Sequence, residues 1–315
     1  MARLTKIIPA LPARWEDALR EFLIYKAAQR RAERTLQDYR THVGHFFNLY
    51  PEAWEDYDRL KTSALEYIAR AASLATDTYN LRLKNLRAFF VWCVSQGYLP
   101  ANPLDGLKIK CSKGRFRPVD EESLAQLLRL PDRSTYAGLR DYTLLLLFLD
   151  TGIRPSEAFS LRKEDINLRS LEVHVREETA KTRTSRTLPI SPETAKAIGR
   201  LIAALPQDWK PNRLFFTCEG KPMTLNAWRL RLEYYGGKLG CKVSPYDLRH
   251  AFATIFLRNG GDIHSLRRLL GHTGLDMAKR YIHLSQADLH GSHAQASPLN
   301  TLLAQKRYRK IRYGN

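Results

Sequence analysis

Leu269-Leu270-Gly271-His272 and, further on, Lys279-Arg280-Tyr281-Ile282-His283 place an imidazole and a phenol at the two ends of one short helical unit. Asp262 to Leu270 reads as a helix, because Ile263, Leu266, Leu269 and Leu270 share one face. Gly271 stands where such a helix stops. His272 follows at the turn, and Tyr281 lies on a second amphipathic segment beside Lys279 and Arg280. A phenol has a pKa near ~10 and is a weak nucleophile until something activates it. Taken alone, this pair suits packing as well as chemistry, so its meaning depends on the other residues that could assist it.

Three further stretches could. Thr151-Gly152 stops a buried helix, and Ile153-Arg154-Pro155-Ser156-Glu157 follows. Pro155 suits the first turn of a new helix and Glu157 its positive end, so Arg154 is framed by a rigid turn. Lys181 lies in a polar, basic hairpin between the alternating strand Leu171–Val175 and the partner strand Leu188-Pro189-Ile190, where Pro189 implies a sheet edge. Ser244 and Pro245 open a helix that presents Tyr246, Arg249 and His250 near its start, and an arginine at a helix N-terminus makes an anion site.

The elements around these residues suggest two domains in 315 residues. Lys plus Arg is 51 against 32 Asp plus Glu, a formal net charge of +19, which points to a polyanion, with DNA or RNA first. The four cysteines are scattered with no C-x-x-C pair, which argues against a structural zinc site or a disulfide framework and fits a reducing cytosol. The N-terminus carries no long apolar run, and Leu144–Leu149, the longest one, is too short to span a bilayer. Residues 1–110 read as a helical bundle. Its third helix, near 61–71, turns Leu65 and Ile68 inward. Its fourth opens on the capping pair Thr76-Asp77 and shows Arg82, Lys84 and Arg87 outward, where they could follow DNA phosphates. Residues 111–118, with Lys113, Arg115 and Arg117, read as a basic linker closed by Pro118. In the second half, Leu214-Phe215-Phe216 suits a short strand or a buried turn. A helix over 223–235 carries Arg229 and Arg231 as candidate phosphate contacts.

Taken in order, these stretches resemble the boxes of the tyrosine recombinases, the phage integrase family. Thr151 to Glu157 resembles the first arginine box, Lys181-Thr182 the lysine of the β-hairpin, and Asp247-Leu248-Arg249-His250 with Phe252-Ala253-Thr254 the second arginine box. Leu269 to His272 and then Tyr281 resemble the closing boxes. The resemblance covers about residues 15–285. It implies a mainly α fold with a small β-sheet: a helical core-binding domain (1–110), a linker (111–118) and an α+β catalytic domain (119–285), forming a C-shaped clamp on DNA. Residues 286–315 would be a tail that docks on a neighbouring protomer through Leu299, Leu302 and Leu303. One position departs from the pattern: Tyr246 stands where the family usually has histidine.

The resemblance implies phosphodiester transesterification. Tyr281 would attack a backbone phosphate, and Arg154 and Arg249 would hold its oxygens with help from His272. Lys181 would protonate the leaving 5′ oxygen, while Glu157 and His250 would act in support. Tyr246 would either donate a hydrogen bond to a phosphate oxygen or be a rival nucleophile. Arg183 and Arg229 would join Arg82, Lys84, Arg87 and the linker cations on DNA. No metal or other cofactor is implied. The implied partners are double-stranded DNA with a specific core site, further copies of the chain in a tetramer on DNA (a monomer when free), and accessory DNA-bending or partner recombinase proteins, in the cytoplasm. A type IB topoisomerase-like nicking-closing enzyme and a non-catalytic DNA-binding relative are the alternatives.

Overall fold

The structure is a computed structural model that describes residues 14–111, 119–180, 184–206, 209 and 213–271. The chain forms two compact units that divide between Arg115 and Phe116.

The first unit is built from α1 (Trp15–Ala28), α2 (Glu33–Leu49), α3 (Tyr57–Ala71) and α4 (Thr76–Ser95). Aromatic side chains dominate its core. Phe22, Phe46, Phe47, Phe89 and Phe90 are fully buried, and Phe22 meets Phe89 edge-on at 5.5 Å, an arrangement the ring quadrupole favours. Three sequence expectations need correcting. Leu65 is 39% exposed, because the buried stripe of α3 runs through Leu60, Ala64, Tyr67, Ile68 and Ala71 and Leu65 lies one step round the helix. The N-cap of α4 is Ala75, whose side chain caps nothing, so Thr76 and Asp77 are its first helical residues. Arg87 does not point outward: its guanidinium donates to the carbonyls of Leu104 (3.2 Å) and Leu107. Arg87 thereby ties the chain that follows α4 back to that helix.

In the second unit, α5 (Glu121–Arg129) is followed by the central helix α6 (Tyr136–Thr151) and the single turn α7 (Pro155–Ala158). A three-stranded antiparallel sheet comes next: β1 (Ile166–Asn167), β2 (Glu172–Val175) and β3 (Arg186–Pro189), in that order. Helices α8 (Pro192–Ala204), α9 (Leu225–Leu239), α10 (Pro245–Arg258) and α11 (Ile263–Leu270) complete it. Pro189 lies on an edge strand, as its missing N–H requires. Val173, Val175 and Leu188 face the core while their neighbours face out. Leu214, Phe215 and Phe216 are buried in a short irregular stretch: the Leu214 N–H donates to the carbonyl of Leu161, the carbonyl of Phe215 accepts from Met223, and Phe216 forms an isolated bridge with Pro222.

α6 organises this unit. Leu144, Leu145, Leu147 and Phe148 are completely buried, and Phe148 stacks on the buried Trp228 of α9 at 6.1 Å. Asp141, also fully buried, accepts from Arg140 of its own helix and from Arg231 and Tyr235 of α9. α6 ends at Gly152, whose φ of 59° is left-handed. A β-carbon there would approach the Phe252 ring to 2.3 Å and the Leu270 side chain to 2.8 Å, so only glycine lets α10 and α11 pack this close. Among the described residues no helix is long and apolar enough to cross a membrane.

Candidate active site

Arg154 follows the glycine that stops α6 and serves as the N-cap of α7, with Pro155 in the first turn. Its backbone is extended, as the residue before proline prefers. Glu157, on the same turn, is 0% exposed. Its carboxylate accepts from the Arg154 backbone N–H at 3.1 Å and from Arg154 Nη1 at 3.0 Å. Arg249 comes from the second turn of α10, whose start is fixed by a capping box in which Ser244 and Asp247 exchange bonds. Arg249 is buried and donates Nη1 to the carbonyl of Gly152.

These elements converge on the C-terminal end of α11. That helix is capped at its start by Asp262, which accepts from the backbone of His264 and Ser265. It stops at Gly271 in the left-handed region, φ 61°. The last carbonyls of a helix lack intrahelical partners and carry partial negative charge. Here three successive ones are taken by three arginines: Leu269 O by Arg186 Nε at 2.9 Å, Leu270 O by Arg249 Nη2 at 2.8 Å, and Gly271 O by Arg154 Nη2 at 2.8 Å. The cations gather because a helix end and one carboxylate attract them. The next residue in sequence is His272.

Arg186 was not foreseen as a site residue. It grips Glu157 with two nitrogens, Nη2–Oε2 at 2.6 Å and Nη1–Oε1 at 3.2 Å. Burial pushes the Glu157 carboxyl up, but the hydrogen bond and charge of Arg186, with those of Arg154, outweigh it and hold the group below its ordinary value of 4.5. The sequence did contain a signal. Arg186 and Leu188 share the inward face of β3, and a cation on a core face calls for a buried acid.

The structure describes some of the other expected residues. Tyr246, in the first turn of α10, is 54% exposed, and His250 is half-buried one residue beyond Arg249. Arg229 lies on the solvent side of α9, paired with Glu233 and Asn226, and Arg231 is taken by Asp141. In the first unit, Lys84 is exposed, while Arg82 is half-buried with its guanidinium over the Tyr67 ring at 4.9 Å. Lys113, Arg115, Arg117, Lys181, Arg183, His272 and Tyr281 lie outside the described residues. Among the described residues no group of three His, Cys, Asp or Glu side chains could hold a metal ion.

The model of the phage integrase family matches residues 117–288, more than half of the chain. The chain belongs to the phage integrase family, the tyrosine recombinases. This recombinase is 30% identical over 294 residues to tyrosine recombinase XerC of Actinobacillus succinogenes, covering 90% of this chain and 98% of that one. It is 29% identical to tyrosine recombinase XerD of Pseudomonas aeruginosa, covering 85% and 92%. Among solved structures it resembles XerA recombinase at 25% identity, with a TM-score of 0.51 over 90% of this chain and 99% of that one. A lambda integrase dimer bound to a core site shares the fold, with a TM-score of 0.67 at 14% identity over 83% of the recombinase and 96% of that chain.

Proposed function

We propose that the chain is a site-specific DNA recombinase that cuts and rejoins duplex DNA at a core site through a covalent 3′-phosphotyrosine. The observation that carries this reading is the convergence of Arg154 and Arg249 on the helix end that leads into His272. Two guanidiniums fixed by a helix terminus form a preorganised cradle for a phosphoryl group, and such donors act most strongly where charge develops. Of the five N–H donors of Arg154, two side-chain bonds go to Glu157 and Gly271 among the described residues.

In this reading the Tyr281 hydroxyl oxygen gives up its proton to solvent and bonds to phosphorus, and the bond from phosphorus to the 5′ oxygen breaks. Lys181 supplies the proton that oxygen takes, and His272 adds a donor to the phosphoryl oxygens. The 5′ hydroxyl of a second strand then reverses the step, so the bond energy is kept without ATP. Tyr246, exposed at the first turn of α10, donates a hydrogen bond to a phosphate oxygen. The first unit and the linker cations Lys113, Arg115 and Arg117 hold the duplex, with Arg82, Lys84, Arg183 and Arg229 as further phosphate contacts. Four copies act together on two duplexes in the cytoplasm, residues 286–315 docking between neighbours and a partner recombinase or DNA-bending protein assisting. The relatives that this chain spans nearly end to end are named XerC and XerD, which favours a Xer-like task over nicking-closing alone.

A nicked suicide duplex tests the reading. The expected result is a protein–DNA band that survives SDS and is lost to protease, absent in Tyr281→Phe and present in Tyr246→Phe. A band that persists in Tyr281→Phe and vanishes in Tyr246→Phe would make Tyr246 the nucleophile. Tight binding with no band on any duplex would reduce the chain to a DNA-binding relative.

A further inference from the structure

Arg186 is the first residue of β3 and pairs with Val175 at the start of the β2–β3 ladder. It closes the stem of the hairpin whose loop carries Lys181. Its side chain reaches across the sheet edge to three acceptors: both oxygens of Glu157 and the carbonyl of Leu269. A planar guanidinium can satisfy all three at once, whereas an ammonium offers a point charge. Gly271 leaves room for it, since a β-carbon there would lie 3.1 Å from the guanidinium.

The charges at this point decide what Arg154 can do. Glu157 is fully buried, and the guanidiniums of Arg186 (2.6 Å) and Arg154 (3.0 Å) against it favour its carboxylate form and hold the group below its ordinary value. With Arg154 as its only cation, the pair would be neutral and the guanidinium drawn to the carboxylate. With Arg186 on the other side, the three groups carry a net positive charge, and Arg154 is held without being cancelled. We propose that Arg186 is a positioning residue of DNA cleavage: it neutralises Glu157 so that the charge of Arg154 remains available to the scissile phosphate. It also fastens the stem of the Lys181 hairpin to the helix end that precedes His272. The inference rests on the recombinase reading above.

The test compares wild type, Arg186→Gln, Arg186→Lys and the double variant Arg186→Gln/Glu157→Gln on one suicide duplex. Melting, DNA affinity and single-turnover cleavage rate are read for each. Arg186→Gln should keep DNA affinity and lose about 10²-fold in cleavage rate, the scale expected when a catalytic group is displaced. Arg186→Lys, which keeps the charge and loses the fork, should cleave at an intermediate rate. The double variant should cleave faster than Arg186→Gln, because removing the carboxylate returns the charge of Arg154. A residue that serves folding alone would make the double variant no faster than the single one, and that result, or wild-type cleavage by both single variants, would overturn the proposal. Should Arg186→Gln not fold, Arg186→Lys and the double variant carry the comparison. A wild-type protein that binds the duplex without forming an adduct would instead refute the recombinase reading beneath it.

Discussion

Asp141 and Glu157 are both completely buried carboxylates, and each is held by two arginines. Around Asp141 the arrangement is closed. Arg140 uses its remaining reach on the carbonyl of Phe216, Tyr235 donates its hydroxyl, and Arg231 lies over the rings of Tyr234 and Tyr235. Burial, and then the neighbouring carboxylate, push the Tyr235 phenol well up, so it stays a neutral donor. This cluster staples α6 to α9. Around Glu157 the arginines spend their other nitrogens on the carbonyls that end α11, and Arg249 joins from α10, so cationic charge gathers where a helix stops. The same pair of residue types thus fastens two helices in one place and gathers cations around a helix end in the other. The difference is whether the surrounding dipoles close the charge or concentrate it.

The largest effect that would sharpen this contrast is on folding. Asp141→Ala leaves two arginines without their acid and should cost about 3–5 kcal/mol of stability in denaturant unfolding, with cleavage per folded molecule unchanged. A slowed cleavage step in the folded variant would erase the distinction. Arg154→Ala should do the reverse: a cleavage rate lower by about 10²–10³ in single turnover, with DNA affinity changed far less.

Next in size is a pH effect. Folding holds Glu157 below its ordinary value of 4.5, so its ionised form stabilises the fold. That contribution is complete above the unfolded value and is lost as pH falls through the folded one. Unfolding curves of wild type and Glu157→Gln should differ most above about pH 4.5 and converge in stronger acid; a constant gap would mean that the charge is not what matters. Tyr246→Phe should lose only about tenfold in cleavage, the value of one hydrogen bond to a charged group. Smallest is Lys84→Ala, which should lower the salt slope of DNA binding by about 1. Arg87→Ala should leave that slope alone, because Arg87 is engaged with Leu104 and Leu107.

Much of the helical layout was legible because burial repeats with the helix period: the stripes of α2, α4 and α11 follow their apolar residues. Pro189 marked its strand as an edge, and Gly152 and Gly271 marked two helix ends, because both are backbone constraints written locally. Long-range pairing was not legible. Arg87, Arg154, Arg186, Arg231 and Arg249 look alike in a basic sequence, and their partners lie 17, 117, 83, 90 and 97 positions away.

The sequence by itself determined the period of each element, the turns that stop them and the order of the boxes, since these depend on neighbours a few residues apart. Only the tertiary structure decided which arginines became fasteners and which surround the end of α11. That choice depends on which carbonyls and carboxylates folding strips of water and leaves in reach, and no local pattern records it.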